Sequence, residues 1–205
     1  IISDLSDLPL LLKLMSICPL PDLELEQLFT NLRCSILSTT SSLKETSAEL
    51  LRFQSILALQ CFTNEYIYNC TDAEKKVLRT LENNVKKAFK NNKQPSPHAV
   101  LAKASYKALT QYDWYNLLVV TNDIQKVFAR QVEEPNEEEK LKKQIPILEE
   151  ITDNTSSEVR AQYEENPYPR WVNLGLSIRP NSILNVVDEV KLKLYDNKIN
   201  EVKKP

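Results

Sequence analysis

The stretch Glu49-Leu50-Leu51-Arg52-Phe53-Gln54-Ser55-Ile56-Leu57-Ala58-Leu59-Gln60-Cys61-Phe62 decides the fold. Leu50, Phe53, Ile56, Leu57, Leu59, Cys61 and Phe62 put apolar groups on nearly every side of a helix with 3.6 residues per turn. A helix that is apolar all round is a buried one, so this helix is expected at the centre of a bundle. Thr46 and Glu49 stand at the spacing of a capping box and mark its start. Its far end turns polar, with Gln60, Asn64 and Glu65 among the aromatics Tyr66 and Tyr68. A carboxylate in apolar surroundings must be paired or hydrogen-bonded, or it neutralises. Gln60, Asn64 and Glu65 are therefore read as a candidate buried polar network, more in keeping with a structural role than with a reactive site.

Helical spacing continues on both sides. Leu25, Leu28, Phe29, Leu32 and Ile36 form one apolar stripe after Pro21, ending in the Ser/Thr run at 38–42. Thr71 and Glu74 make a second capping box, opening an amphipathic helix with Val77, Leu78, Leu81, Val85 and Phe89. The loop at 91–95 ends it. Ser96 caps another helix with Pro97 at its first position, running through Val100, Leu101, Ala104 and Leu109. Asp113 precedes a helix carrying Trp114, Leu117, Leu118, Ile124, Val127 and Phe128. A charged stretch from Glu133 to Lys143 predicts a short helix before Pro146, and Thr155 with Glu158 opens one towards Tyr163. Asn181 is the expected cap of a last helix with Ile183, Val186, Val187, Val190 and Leu194, although alternation at 190–194 also allows a short strand.

Composition points the same way. The 205 residues include a single glycine, Gly175, where average usage gives roughly fourteen. Without glycine there is no G-x-G-x-x-G turn and no P-loop, and tight hairpins lose their usual turn residue. One histidine, His98, is too few for the common multi-histidine zinc and iron sites, and it has no nearby partner for a catalytic triad. Four cysteines at 18, 34, 61 and 70 form no C-x-x-C and read as reduced core thiols. The net charge of −2 is not that of a nucleic-acid polycation. Residues 72–107 do carry nine Lys or Arg against three acids, but Phe89 and Tyr106 make no stacking platform, and the segment reads as a solvated helix face. The apolar stretch Leu8 to Leu20 is broken by Pro9, Lys13 and Pro19 and is too short to span a bilayer. Asp4 and Asp7 stand where a signal peptide is basic, so the expected location is cytoplasmic.

From Asn166 the texture changes. Gln162-Tyr163-Glu164-Glu165-Asn166-Pro167-Tyr168-Pro169-Arg170-Trp171 gathers three aromatics, two carboxylates and an arginine around two prolines. Prolines stiffen the chain and pre-position its side chains. Tyr163, Glu164, Glu165, Asn166, Tyr168, Arg170 and Trp171 thus form a candidate interdomain or substrate-site segment; a packed strap without chemistry is the competing reading. Tyr163 is expected to end a helix, residues 167–171 to run extended, and Arg170 to pair with Glu164, Glu165 or another carboxylate.

Two stretches also resemble a known family. Gln60-Cys61-Phe62-Thr63-Asn64-Glu65-Tyr66 and Val159-Arg160-Ala161-Gln162-Tyr163-Glu164-Glu165-Asn166-Pro167-Tyr168-Pro169-Arg170-Trp171 resemble a bacterial family of class I SAM-dependent methyltransferases, many with tetratricopeptide repeats at the amino end. Pro21–Glu26 and Gln131–Pro135 match its pattern more loosely. The resemblance implies a helical region preceding a Rossmann-like catalytic domain, and the first residue, isoleucine, fits part of a longer chain. The expected fold is mainly α: an irregular multi-helix bundle over 1–165, then an extended Pro/aromatic strap and linker over 166–205. On this reading the chain is not an enzyme by itself. It holds no cofactor, SAM being bound in the following domain, and its first partner is that domain. The alternatives are a helical module that binds a protein or peptide and, behind it, a nucleic-acid-binding module.

Overall fold

The structure, a computed structural model, describes residues 2–40, 46–146, 153–165, 182–189 and 191. Among these every regular element is helical and there is no strand. In order they are α1 (Ile2–Ser6), α2 (Pro9–Ile17), α3 (Leu23–Thr39), α4 (Ala48–Thr63), α5 (Asp72–Lys90), α6 (Pro97–Ala104), α7 (Gln125–Phe128), α8 (Glu134–Lys142), α9 (Asn154–Glu165) and α10 (Ile183–Glu189). The chain divides into two units, residues 1–150 and 151–205. Helix α9, which the sequence grouped with the bundle, falls in the second unit, and its described side chains are all exposed.

Helix α4 occupies the centre of the first unit because two cores use its different faces. Phe53, Leu57 and Cys61 join Leu12, Met15, Phe29 and Ile36 in one core. Ala58 and Leu59 join Leu81, Val85, Leu101, Leu109 and Val127 in the other. Helices α1 and α2 pack on α4, as do α6 and α7, while α3 meets α5 and α6. A helix with two buried faces carries apolar residues nearly all round, and the polar residues buried with them include Gln54 and Gln60.

Several boundaries differ from the sequence reading. Ser47, not Thr46, caps α4, its Oγ accepting from Leu50 N–H at 3.1 Å, since the helix starts one residue later than the capping-box spacing implied. Asp153, not Thr155, caps α9 by accepting from Ser156 N–H at 2.8 Å. The Thr71–Glu74 capping box of α5 is complete. Helix α6 stops at Ala104, and Leu109 lies in a separate 3-10 turn, Leu109–Gln111. The single helix expected over 114–128 does not form. A 3-10 turn at Tyr115–Leu117 is followed by irregular chain, and α7 begins only at Gln125. The β-branched run Val119-Val120-Thr121 disfavours helix. The side chain of Gln94 also claims the backbone here, donating to Leu117 O and accepting from Val119 N–H, both at 3.0 Å. Helix α7 continues through a π turn, Ala129–Glu133, into α8. Pro135 has no N–H to give to the carbonyl of Gln131, four residues back, and the helix widens there.

Asn181 and Leu194, and with them the possible strand at 190–194, lie outside the described residues. Ser182 caps α10 instead, accepting from Asn185 N–H at 3.2 Å. Among the described residues no helix is long and apolar enough to cross a membrane.

Candidate functional site

The polar end of α4 is where the site begins. Gln60 is fully buried. With its amide turned to satisfy its surroundings, it donates to Met15 O at 2.7 Å and Cys18 O at 3.1 Å and accepts from Leu20 N–H at 3.3 Å. It thereby ties the end of α2 and the loop after it to α4. Asn64 is half-buried, and the two side chains stand beside the hydroxyl of Tyr68. Burial pushes that hydroxyl up to about 12.

Glu65 corrects the sequence reading: it is exposed, not part of a buried network. Helix α4 has already ended at Thr63, so Glu65 has left its apolar stripe. The backbone closes as a Schellman turn, with Tyr66 N–H donating to Cys61 O at 2.8 Å and Glu65 N–H to Phe62 O at 3.1 Å. Glu65 and Tyr66 both take left-handed conformations, φ 60° and 59°, at a place where glycine is the usual residue. In a chain with one glycine, Asn92 at φ 54° closes α5 in the same way, with Lys93 N–H donating to Ala88 O at 2.9 Å.

The turn carries Tyr66 and Tyr68 into the wall of a cleft of about 840 Å³. Arg33 of α3 lies at its floor. Helix α5 forms one side with Lys75, Arg79, Glu82 and Lys86; α6 and the chain after it form another with Lys103, Tyr106, Lys107 and Tyr112. Tyr66 is fixed by donating to Ala104 O at 3.3 Å. Ala104 O also accepts from Gln131 Nε2 at 3.1 Å. Gln131, fully buried in the π turn, reaches Ala58 O at 3.3 Å and accepts from Leu109 N–H at 3.1 Å.

Two buried charge clusters shape the floor. In the first, Arg33, 2% exposed, donates to Asn69 O at 2.6 Å and Tyr68 O at 3.3 Å, and its guanidinium lies over the Tyr106 ring at 4.0 Å. Glu74 stands 4.0 Å from it, accepting from Tyr106 Oη at 2.6 Å and from Thr71 N–H at 2.8 Å. Burial opposes ionisation of Glu74, but the Tyr106 and Thr71 hydrogen bonds and the Arg33 charge hold its carboxyl below the usual range. Burial, and then the bond to Glu74, push the Tyr106 phenol well above its usual range. In the second cluster Glu82 meets Lys103 at 2.9 Å and accepts from Trp114 Nε1 at 3.0 Å. Burial works against the Glu82 charge too, and the bonds from Lys103, Trp114 and Lys86 overcome it. Lys103, buried over the Tyr112 ring, is lowered by burial despite Glu82.

The basic segment thus has a second aspect that the sequence did not disclose. Five of its nine cations, Lys75, Arg79, Lys86, Lys103 and Lys107, line this one cleft. Spacings of i, i+4 and i+11 put Lys75, Arg79 and Lys86 on one face of α5, a signal the apolar pattern overshadowed. Arg33 and Gln131 were also missed, because nothing local marks a polar residue within an apolar stripe as a core contact.

His98, given no role from sequence, is buried with Nδ1 2.7 Å from Gln54 Oε1. The cysteines are free, with Cys61 buried and its thiol pushed up to about 12 by burial; Cys18, Cys34 and Cys70 are only half-buried. Of the second candidate segment, Tyr163 is 60% exposed and precedes the end of α9 at Glu165, while Glu164 accepts from Arg160 Nε at 2.6 Å. Asn166, Tyr168, Arg170 and Trp171 lie outside the described residues, as does the expected Arg170 pairing. Compared with family models, curated proteins and solved structures, the chain matches none.

Proposed function

We propose that this chain is a non-catalytic helical region of a SAM-dependent methyltransferase-like protein, and that its cleft helps to form the substrate site of a following catalytic domain. The single observation that supports this reading is the placement of the stretch Gln60–Tyr66. That stretch is one of the two that carry the resemblance, Tyr163–Trp171 being the more specific, and it does more than fill a core: it ends α4 in a left-handed turn and sets Tyr66 in the cleft lining. The cleft has the size common among ligand sites. SAM belongs to the following domain on this reading, so residues 1–205 alone carry no SAM site and no catalytic residue. The test is calorimetry with SAM on residues 1–205 and on a form extended beyond Pro205. Stoichiometric binding by the extended form only is the expected result. Binding by the short chain, or by neither, overturns it.

A second reading, a helical module for a protein partner, draws on a different surface. A smaller cleft of about 300 Å³ opens behind Tyr68, between Pro19, Leu20, Pro21 and Ile67, and Ile67 and nearby Leu23 are 69% and 84% exposed.

A further inference from the structure

The cations of the large cleft are unequally matched. Arg33 is answered by Glu74, Lys75 by Asp72 at 2.9 Å, Lys86 by Asp113 at 2.8 Å, and Lys103 by Glu82. Arg79 and Lys107, both exposed, are left over: among the described residues neither forms an ion pair, and Lys107 lies 5.2 Å from the Tyr112 ring with the Asp113 carboxylate acting on it only at longer range. They line the same cleft from two different elements. The remaining lining is amphipathic, with Leu78 and tyrosine side chains between the charges.

We propose that this cleft binds a small ligand bearing a phosphoryl group, with the dianion held between Arg79 and Lys107 and the ligand body against Leu78 and the tyrosines. Two cations outside any ion pair match the charge of a phosphate monoester near neutral pH, about −1.5 to −2. Arginine supplies paired donors suited to phosphoryl oxygens, and lysine a compact positive charge. Glu82 and Asp113 interrupt the basic row within the cleft, which suits a compact anion better than the continuous backbone of a polynucleotide. The inference rests on the cleft being a binding site, not on what the neighbouring catalytic domain does. Its failure therefore leaves the SAM result of the extended form unaffected, and a failed SAM test leaves this one standing.

The test titrates the whole chain with phenyl phosphate, following the tyrosine resonances by NMR. Phenol serves as the uncharged probe, sodium chloride as the ionic-strength control and a single-stranded oligonucleotide as the polyanion. Phenyl phosphate is expected to shift the cleft resonances saturably, and phenol is not. Arg79→Gln and Lys107→Gln should each weaken binding about tenfold with an unchanged melting curve, since both side chains are exposed. Lys76→Gln, on α5 but outside the cleft lining, should leave binding as it is. The inference is overturned by no saturable shift at about 10 mM probe, by equal responses to chloride, by binding indifferent to both cleft substitutions, or by binding of the oligonucleotide alone.

Discussion

Arg33 illustrates how a single residue can be necessary without being reactive. Its guanidinium is held by the carbonyls of Tyr68 and Asn69 and by the face of Tyr106, and Glu74 completes the cluster. Arg33→Met keeps much of the volume but removes every one of these bonds. Removing one partner of a buried charge cluster costs about 3 kcal/mol, so the melting midpoint should fall by roughly 6–12 °C. An unchanged midpoint would show that water, not the protein, satisfies the guanidinium. His98 makes a pH-dependent contribution of known sign. Burial lowers its pKa in the folded chain, so the unfolded chain takes up the proton first as pH falls. Stability should therefore decline below about pH 6.5 until the folded-state value is passed. Glu74 and Glu82, both lowered, add a separate loss as pH drops below the ordinary carboxylate value of 4.5. Thermal melts from pH 7.5 to 5.5 should slope downward, and His98→Asn should flatten that slope whatever its own midpoint. An identical slope in the variant would assign the decline elsewhere.

Among the elements, α4 was the most legible in sequence and α7 the least. The apolar run of α4 leaves one physical solution, burial between two cores, and the structure has it there. Capping boxes were legible only in part, because the same spacing appears at Thr71 where the box forms and at Thr46 where a neighbour takes the cap. The break between Trp114 and Gln125 was hidden, since apolar spacing says nothing of a distant glutamine that claims the backbone of Leu117 and Val119. Buried glutamines recur as cross-links in this fold: Gln54 to His98, Gln60 to the end of α2, and Gln131 between α4, α6 and the 109–111 turn. Gln131→Leu fits the space but strands the Leu109 N–H. It should cost about 1–3 kcal/mol, read as a lower denaturant midpoint with an unchanged slope. A neutral result would mean that the π turn, rather than the amide, holds these elements together.

For the whole molecule, the helical class followed from the glycine count and the spacing of apolar residues, both properties of the chain itself. The candidate site was legible as a stretch but not as a place. Gln60 and Asn64 lie at the end of α4 as read, whereas Glu65 turns outward once the helix closes at Thr63. The cleft beside them needs Arg33, α5 and α6 brought together, and tertiary proximity of that kind leaves no local signal. The proposed role makes residues 60–68 and the cleft rim a meeting place between this region and a catalytic domain. Amide hydrogen exchange, compared between residues 1–205 and a form extended beyond Pro205, tests that most directly. The expected result is added protection concentrated on residues 60–68 and on the cleft-facing side of α5, with the α4 core unchanged. Identical protection there in both forms, or an extension without a methyltransferase domain, would contradict it.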